Sequence, residues 1–276
     1  METIALIGAG GKMGSRLADN LARSEYAVRY VEPAPAGVER LAERGLVVSA
    51  FAESVRESDV VVLAVPDNRI GDVAAEAVPL MKPGATLIVL DAAAPFAGEL
   101  PERGDVSYVA CHPCHPSVFN RDETTPEAQR DFFGGVAGKQ NVVIALIQGT
   151  DADYARAEAI VRTFFAPVVG AYRVSLDDMV LLEPVLSETV AATCIVVIEQ
   201  AMQEAVRRGV PADAARAFLL GHLGIELAIV FNEVDSPFSD GALMAIEAAK
   251  SAIFRDDWMK VFEPDSVRAS VAGIVG

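Results

Sequence analysis

The beginning of this chain constrains it most. An apolar run, Ile4-Ala5-Leu6-Ile7, passes without a break into Gly8-Ala9-Gly10-Gly11-Lys12-Met13-Gly14. Glycines between a first strand and a first helix let backbone N–H groups approach a pyrophosphate at the helix N-terminus, where the helix dipole favours negative charge. The strict G-x-G-x-x-G spacing is not kept, because Met13 stands where the third glycine belongs and Gly14 follows one residue late. The placement between strand and helix therefore carries more weight than the pattern.

A second feature supports the first. The next apolar run, Val28-Arg29-Tyr30-Val31, ends in Glu32, at about the 20-residue distance where an acid meets the adenosine ribose of a dinucleotide. A carboxylate there accepts from the ribose hydroxyls and repels a 2′-phosphate. No cation occurs in Pro33-Ala34-Pro35-Ala36, so NAD is expected rather than NADP. Third, the run ending at Val65 meets Pro66-Asp67-Asn68, a turn at the carboxyl edge of a strand, where open α/β sheets bind ligands. Asp67 and Asn68 fit equally well as the N-cap of a helix starting near Ile70. The cofactor candidates are thus Gly8, Ala9, Gly10, Gly11, Lys12, Met13, Gly14, Glu32, Pro66, Asp67 and Asn68.

The first half alternates β-branched runs with amphipathic segments, the pattern of a parallel sheet with crossover helices. Strands are predicted at 3–7, 27–31, 60–64, 86–90, 107–110, 141–146 and 168–174, and helices at 13–23, 38–44, 70–78 and 152–165. After Ser175 long 3.6-periodic segments take over, at about 177–208, 212–231 and 241–254, with a stop and restart at Gly209 and Pro211. The expectation is α/β: an N-terminal Rossmann doubly wound sheet over 1–175, then a mostly α-helical substrate-binding and dimerisation domain over 176–276. The polar, glycine-ended stretch 119–140 is the candidate for a mobile loop near a site.

Composition limits the partners. A net charge of -16 repels nucleic acid and anionic membrane surfaces at long range. The most apolar helical stretch, 189–198 between Glu188 and Glu199, is too short for a span of roughly 20 residues, so no membrane is expected. Three cysteines do not make a disulfide framework and suggest a reducing compartment. With no signal peptide visible at the first residues, the cytoplasm is the expected location. The apolar face of 190–201 suggests a homodimer.

Two of the three histidines and two of the three cysteines fall in Cys111-His112-Pro113-Cys114-His115. The string C-x-x-C-H matches a c-type haem attachment, which needs export and a fold built round the haem. A redox C-x-x-C wants its first cysteine at a helix N-terminus, and the prolines disfavour helix. A structural turn with buried cysteine is a third reading. In the fourth, one or both imidazoles bind a metal or substrate at an active-site edge, with a carboxylate from elsewhere completing the ligand set. Glu183, in Leu181-Leu182-Glu183-Pro184, is the candidate acid; its plainer reading is an exposed acid before a helix. His222, on an apolar helix, reads first as a core histidine and more weakly as a substrate contact from a partner subunit.

On the opening glycine run, the Val-Pro-Asp-Asn turn, the Cys-His-Pro-Cys-His-Pro segment and Glu183-Pro184, the chain resembles two-domain dehydrogenases with a second domain of the phosphogluconate dehydrogenase C-terminal type. Among these it is similar to the D-apionate oxidoisomerase family, over nearly its whole length. The helix over 183–208 contains no lysine, so the lysine-assisted mechanism of the hydroxyacid relatives does not carry over.

The resemblance implies oxidation of a secondary alcohol of a branched sugar acid by NAD, followed by migration of a carbon group to the new ketone. It further implies a divalent metal, Zn or Mn rather than Mg. His115 and Glu183 are its ligands, with His112 as a further ligand or, beside Glu183, a catalytic proton-transfer group. Arg121 would help to receive the substrate carboxylate. Two alternatives remain open at this stage: a metal-independent dehydrogenase of prephenate-dehydrogenase-like or hydroxyacid type, and a non-catalytic NAD sensor.

Overall fold

The computed structural model describes residues 1–120 and 123–276; Arg121 lies outside the described residues. The chain divides into two compact units, Met1–Leu182 with Arg268–Gly276, and Glu183–Val267.

The first unit is built on a seven-stranded sheet of β1 (Thr3–Ile7), β2 (Ala27–Val31), β3 (Val60–Leu63), β4 (Thr86–Val89), β5 (Ser107–Pro113), β6 (Gln140–Gln148) and β7 (Val168–Arg173). Their order is β2-β1-β3-β4-β5-β6-β7. The pairs from β2 to β5 are parallel, β6 runs antiparallel to β5, and β7 is parallel to β6. A parallel bridge joins Tyr30 of β2 to Val48. Counted as a strand reduced to one pair, it restores the doubly wound order of a dinucleotide-binding sheet, in which the chain reverses direction beside β1.

The helices of this unit are α1 (Lys12–Leu21), α2 (Pro35–Glu43), α3 (Phe51–Glu57), α4 (Ile70–Ala77), α5 (Ala93–Phe96), α6 (Pro126–Arg130), α7 (Asp151–Phe164) and α8 (Leu176–Val180). Central strands covered on both faces read as unbroken apolar runs, and Val60-Val61-Val62-Leu63 is wholly buried. Leu17, Leu21, Ile160 and Phe164 from α1 and α7 close one face over Ile4, Leu6 and Ile144.

The predicted strands recur within a few residues, with one consequential difference. β5 runs through Cys111, His112 and Pro113 instead of ending at 110, because these residues pair antiparallel with Ile144, Val143 and Val142. The pentapeptide is therefore strand first and turn second. The short α3, α5 and α6 escaped the sequence reading, since helices of one or two turns carry too little periodicity to register.

An unbroken helical run, Leu176–Arg207, begins in the first unit with α8, passes through a π-helical segment, Leu181–Ala192, and continues in the second unit as α9 (Thr193–Arg207). Next come α10 (Ala212–Val230), α11 (Asp240–Ile253) and α12 (Pro264–Val275), whose last residues group with the first unit. Pro184 lies inside the π-helical stretch, where the wider turn accommodates a residue without an N–H. The run corrects the argument from length: at 32 residues it is long and apolar enough to cross a membrane, although 189–198 alone is not.

Candidate active site

The glycine turn is tight in three dimensions. Gly8 has φ +78°, and an added Cβ would lie 2.4 Å from the Ala64 carbonyl oxygen. At Gly14 an added Cβ would meet the Gly8 carbonyl oxygen at 2.0 Å, and at Gly10 the Gly37 carbonyl oxygen at 2.4 Å. Strand, turn and helix are therefore in backbone contact, and only glycine permits it. Gly11 is the N-cap of α1 and offers no side-chain acceptor, so the first amides of the helix face outward, as a pyrophosphate site needs.

Glu32 is buried at the end of β2. Its Oε2 accepts from the Gly10 N–H at 2.9 Å and its Oε1 from the Ala34 N–H at 2.9 Å. Arg40 Nε donates to the Gly10 carbonyl oxygen at 2.7 Å. The acid read as a ribose acceptor thus also braces the glycine turn. Asp67 and Asn68 do not cap the helix that follows, which has Arg69 as its N-cap and no side-chain cap bond. Asp67 instead stands exposed at the sheet edge. Its pKa is raised, chiefly by partial desolvation and next by the negative charge of Asp91, with His112 opposing.

His112 is placed by β5, between buried Cys111 and buried Pro113. Its Nδ1 lies 2.9 Å from the Leu90 carbonyl oxygen. A carbonyl only accepts, so Nδ1 carries the proton and the lone pair is on Nε2, the form that ligates a cation. Asp91, buried at the carboxyl end of β4, fixes one oxygen by accepting from the Ala93 N–H at 2.6 Å. Helix α8 packs on α5 and β6 through buried Met179 and Val180, and Glu183 follows it in the same helical run. Asp91, His112 and Glu183 each offer one ligand atom, and these atoms lie within 4.8 Å of one another.

Two oxygens and one nitrogen, with two negative charges, form a donor set that suits a divalent ion. Of the residues singled out from sequence, His112 and Glu183 are in this group and His115 is not. Asp91 was missed, although an acid at the carboxyl end of a predicted strand was the available signal.

His115 has φ +58°, the left-handed region that costs a residue with a Cβ. Its Nδ1 lies 2.8 Å from the Phe133 carbonyl oxygen, which again leaves the lone pair on Nε2. Its ring meets those of His112 and Phe133 edge-on, each at 6.1 Å between centroids. Phe133 is held in turn by its loop, where the Asp131 carboxylate accepts from the N–H groups of Val136, Ala137 and Gly138 at 2.9–3.0 Å.

The thiols fit neither haem nor redox readings. Cys111 is fully buried in the strand core, and burial pushes both its thiol and that of Cys114 above the ordinary range. A reactive cysteine needs the opposite shift. His222 stands exposed on α10, stacked on Phe218 at 3.9 Å, with Nδ1 2.8 Å from the Phe218 carbonyl oxygen. It is not a buried core histidine within its own unit.

Comparison with known proteins decides the family. Residues 121–275 match the phosphogluconate dehydrogenase (decarboxylating) C-terminal family, and residues 3–95 match a family described as NADP oxidoreductase coenzyme F420-dependent. A D-apionate oxidoisomerase from Cupriavidus necator is 50% identical over 99% of both chains. One from Rhizobium rhizogenes is 51% identical over 99% of this chain and 100% of its own. The chain belongs to the D-apionate oxidoisomerase family. A solved structure described as a semialdehyde dehydrogenase NAD-binding protein from Cupriavidus necator, in complex with calcium and NAD, superposes with a TM-score of 0.97 at 50% identity, covering 99% of each chain. The fold of this oxidoisomerase-family chain is therefore the Rossmann sheet with a helical C-terminal unit that its sequence implied, and the chain is an oxidoreductase.

Proposed function

We propose that this enzyme oxidises the secondary alcohol of a branched sugar acid of the D-apionate type with NAD and then rearranges the ketone to a 3-oxo-isoapionate-type product. The observation that carries the reading is the grouping of Asp91, His112 and Glu183 in a chain whose opening turn is built for a dinucleotide. The relatives named D-apionate oxidoisomerase support the substrate, and the relative solved with calcium and NAD supports both cofactors.

The glycine turn holds the pyrophosphate, Glu32 takes the ribose hydroxyls, and Pro66-Asp67-Asn68 borders the nicotinamide end. Asp91, His112 and Glu183 hold a divalent cation, for which Mn or Zn suits the mixed donors better than Mg. Such an ion, when bound, polarises the ketone and stabilises alkoxide charge. His115, outside that set, presents Nε2 to take the alcohol proton while the carbon-bound hydrogen leaves as hydride to NAD. The neighbouring tertiary hydroxyl then gives up its proton as a carbon group shifts to the ketone carbon, and the oxygen there is reprotonated. The net products are NADH, one proton and the isomeric oxo acid.

The second unit leaves Ile195, Val196, Phe218, Phe231 and Met244 more than half exposed, large apolar side chains of the kind that an interface covers. A second copy covering these faces makes the enzyme a homodimer and accounts for the long apolar helix without a membrane. Unpaired cysteines fit the cytoplasm, and the acidic chain leaves no role for nucleic acid.

The test is NADH formation with D-apionate, with the product identified by NMR and with a chelated control. Metal-dependent turnover to a rearranged oxo acid is expected. Turnover without rearrangement, indifferent to chelation, is the outcome of a simple dehydrogenase and removes both metal and isomerisation from the account.

A further inference from the structure

A sugar acid brings a carboxylate to a site already crowded with Asp67, Asp91 and Glu183, in a chain of net charge -16. A cation must meet it. Lys12 and Arg16, one turn apart on α1, both lie over the ring of Phe133, at 5.3 Å from Nζ and 4.3 Å from Cζ to the centroid. Neither makes an ion pair among the described residues, whereas Arg40 is engaged by the Gly10 carbonyl oxygen and Arg44 by Asp19. Asp131 acts on Arg16 through its field, while its Oδ2 accepts from three backbone N–H groups.

We propose that Arg16 is the receptor for the substrate carboxylate, positioned by Phe133. The ring is not a passive neighbour. The Phe133 backbone carbonyl oxygen holds His115 and its ring meets the His115 imidazole edge-on, so the residue that orients the proton acceptor also carries the guanidinium. Stacking on an aromatic face removes one side of the planar group from water and leaves its N–H edge for a bidentate carboxylate. Little side-chain freedom is then left to lose on binding. Lys12, inside the glycine turn, remains with the cofactor. Of these four cations, Arg16 is the one left for the acid end of the substrate, which sets the preference for sugar acids over neutral sugars.

This rests on the proposed reaction, and the test separates the two. Steady-state kinetics and NAD and D-apionate affinities are compared for the metal-loaded wild type, Arg16→Gln, Arg16→Lys and Lys12→Gln. For Arg16→Gln, KM for D-apionate rises at least tenfold with a much smaller change in kcat and an unchanged Kd for NAD; Arg16→Lys recovers part of the loss. Lys12→Gln weakens NAD instead. The neutral amide of the substrate reacts equally poorly with wild type and Arg16→Gln.

If Arg16→Gln leaves KM and D-apionate affinity unchanged, or loses NAD affinity in parallel, the receptor assignment is wrong while the reaction stands. If the wild type binds D-apionate without turning it over and Arg16→Gln binds it more weakly, the reaction falls and the receptor stands. A wild type that neither binds nor converts D-apionate overturns both.

Discussion

His112 donates a hydrogen bond from its Nδ1–H to the carbonyl oxygen of Leu90, 2.9 Å away, and Leu90 is the residue that precedes Asp91. One strand end therefore supplies one member of the proposed cation site and fixes the tautomer of another. Replacing any one of Asp91, His112 and Glu183 removes a donor from the proposed set of three. His112→Gln, Asp91→Asn and Glu183→Gln are each expected to lower bound metal below stoichiometry and to reduce kcat/KM by at least ~100-fold, more than the 10–100-fold that outer-layer partners cost. Metal analysis of the purified variants checks this. Full metal occupancy in all three would remove the assignment.

The same site predicts a thermal response. An ion at ~100 times its Kd stabilises the folded chain by about 2.7 kcal/mol, which for a chain of this size corresponds to a rise in Tm of several degrees, at roughly 2–4 °C per kcal/mol. Calorimetry of wild-type enzyme with and without Mn is expected to show that rise, and the Asp91→Asn variant to show little of it.

Much of the fold was legible because the central strands are wholly buried. A strand covered on both faces is apolar at nearly every position, so β1, β3 and β4 could be read directly, and the glycines fixed the first turn. The site was only partly legible. His112 and Glu183 announced themselves by residue type, but which imidazole joins the carboxylates depends on pairing: β5 continues to Pro113 against β6, so His112 is held by the sheet and His115 lies in the turn beyond. That pairing is a long-range property, and local pattern does not encode it. Asp91 looked like a strand end. Nothing in the local pattern marks Arg16, because the ring that holds it lies more than a hundred residues away.

Glu32 tests the cofactor half. Its oxygens are engaged by the N–H groups of Gly10 and Ala34, so its removal disturbs the glycine turn as well as the ribose contact. Glu32→Gln is expected to lower kcat/KM for NAD by about tenfold or more, equivalent to ~1.4 kcal/mol or more of lost transition-state stabilisation, and to lessen discrimination against NADP by removing the charge that repels its phosphate. Kinetics with both cofactors give the ratio. Undiminished NAD activity with unchanged selectivity would show that the acid serves the turn alone.

Gly14 separates turn geometry from charge. An alanine Cβ would lie 2.0 Å from the Gly8 carbonyl oxygen, 2.9 Å from its carbon and 3.0 Å from the Ala9 carbon, all backbone atoms that cannot rotate aside. Gly14→Ala is therefore expected to open the turn, costing about 1–3 kcal/mol as an overpacked core substitution does, and to abolish measurable NAD binding. Gly209→Ala is a poor control, because φ +104° strains it independently. Gly104→Ala, in open space at ordinary φ, is expected to leave both properties unchanged.

Asp131 governs the loop that carries Phe133, and its titration has a definite sign. Burial alone would raise its pKa, but the N–H groups of Ala137, Gly138 and Val136, with the charge of Arg16, outweigh it and hold the carboxyl below the ordinary range. A depressed folded pKa means that the stabilisation is fully present above the unfolded value of about 3.9 and is lost as pH falls through the folded value. At neutral pH, Asp131→Ala frees three donors at once and is expected to cost about 1–2 kcal/mol. The Phe133 carbonyl oxygen also loses its fixed place under His115, so activity should fall by more than the modest loss of stability explains. Urea denaturation across the acid range measures the first effect: the gap between wild type and Asp131→Ala should narrow below pH ~4. A gap that stays constant down to the lowest pH at which the protein folds would show that the carboxylate charge is not what holds the loop.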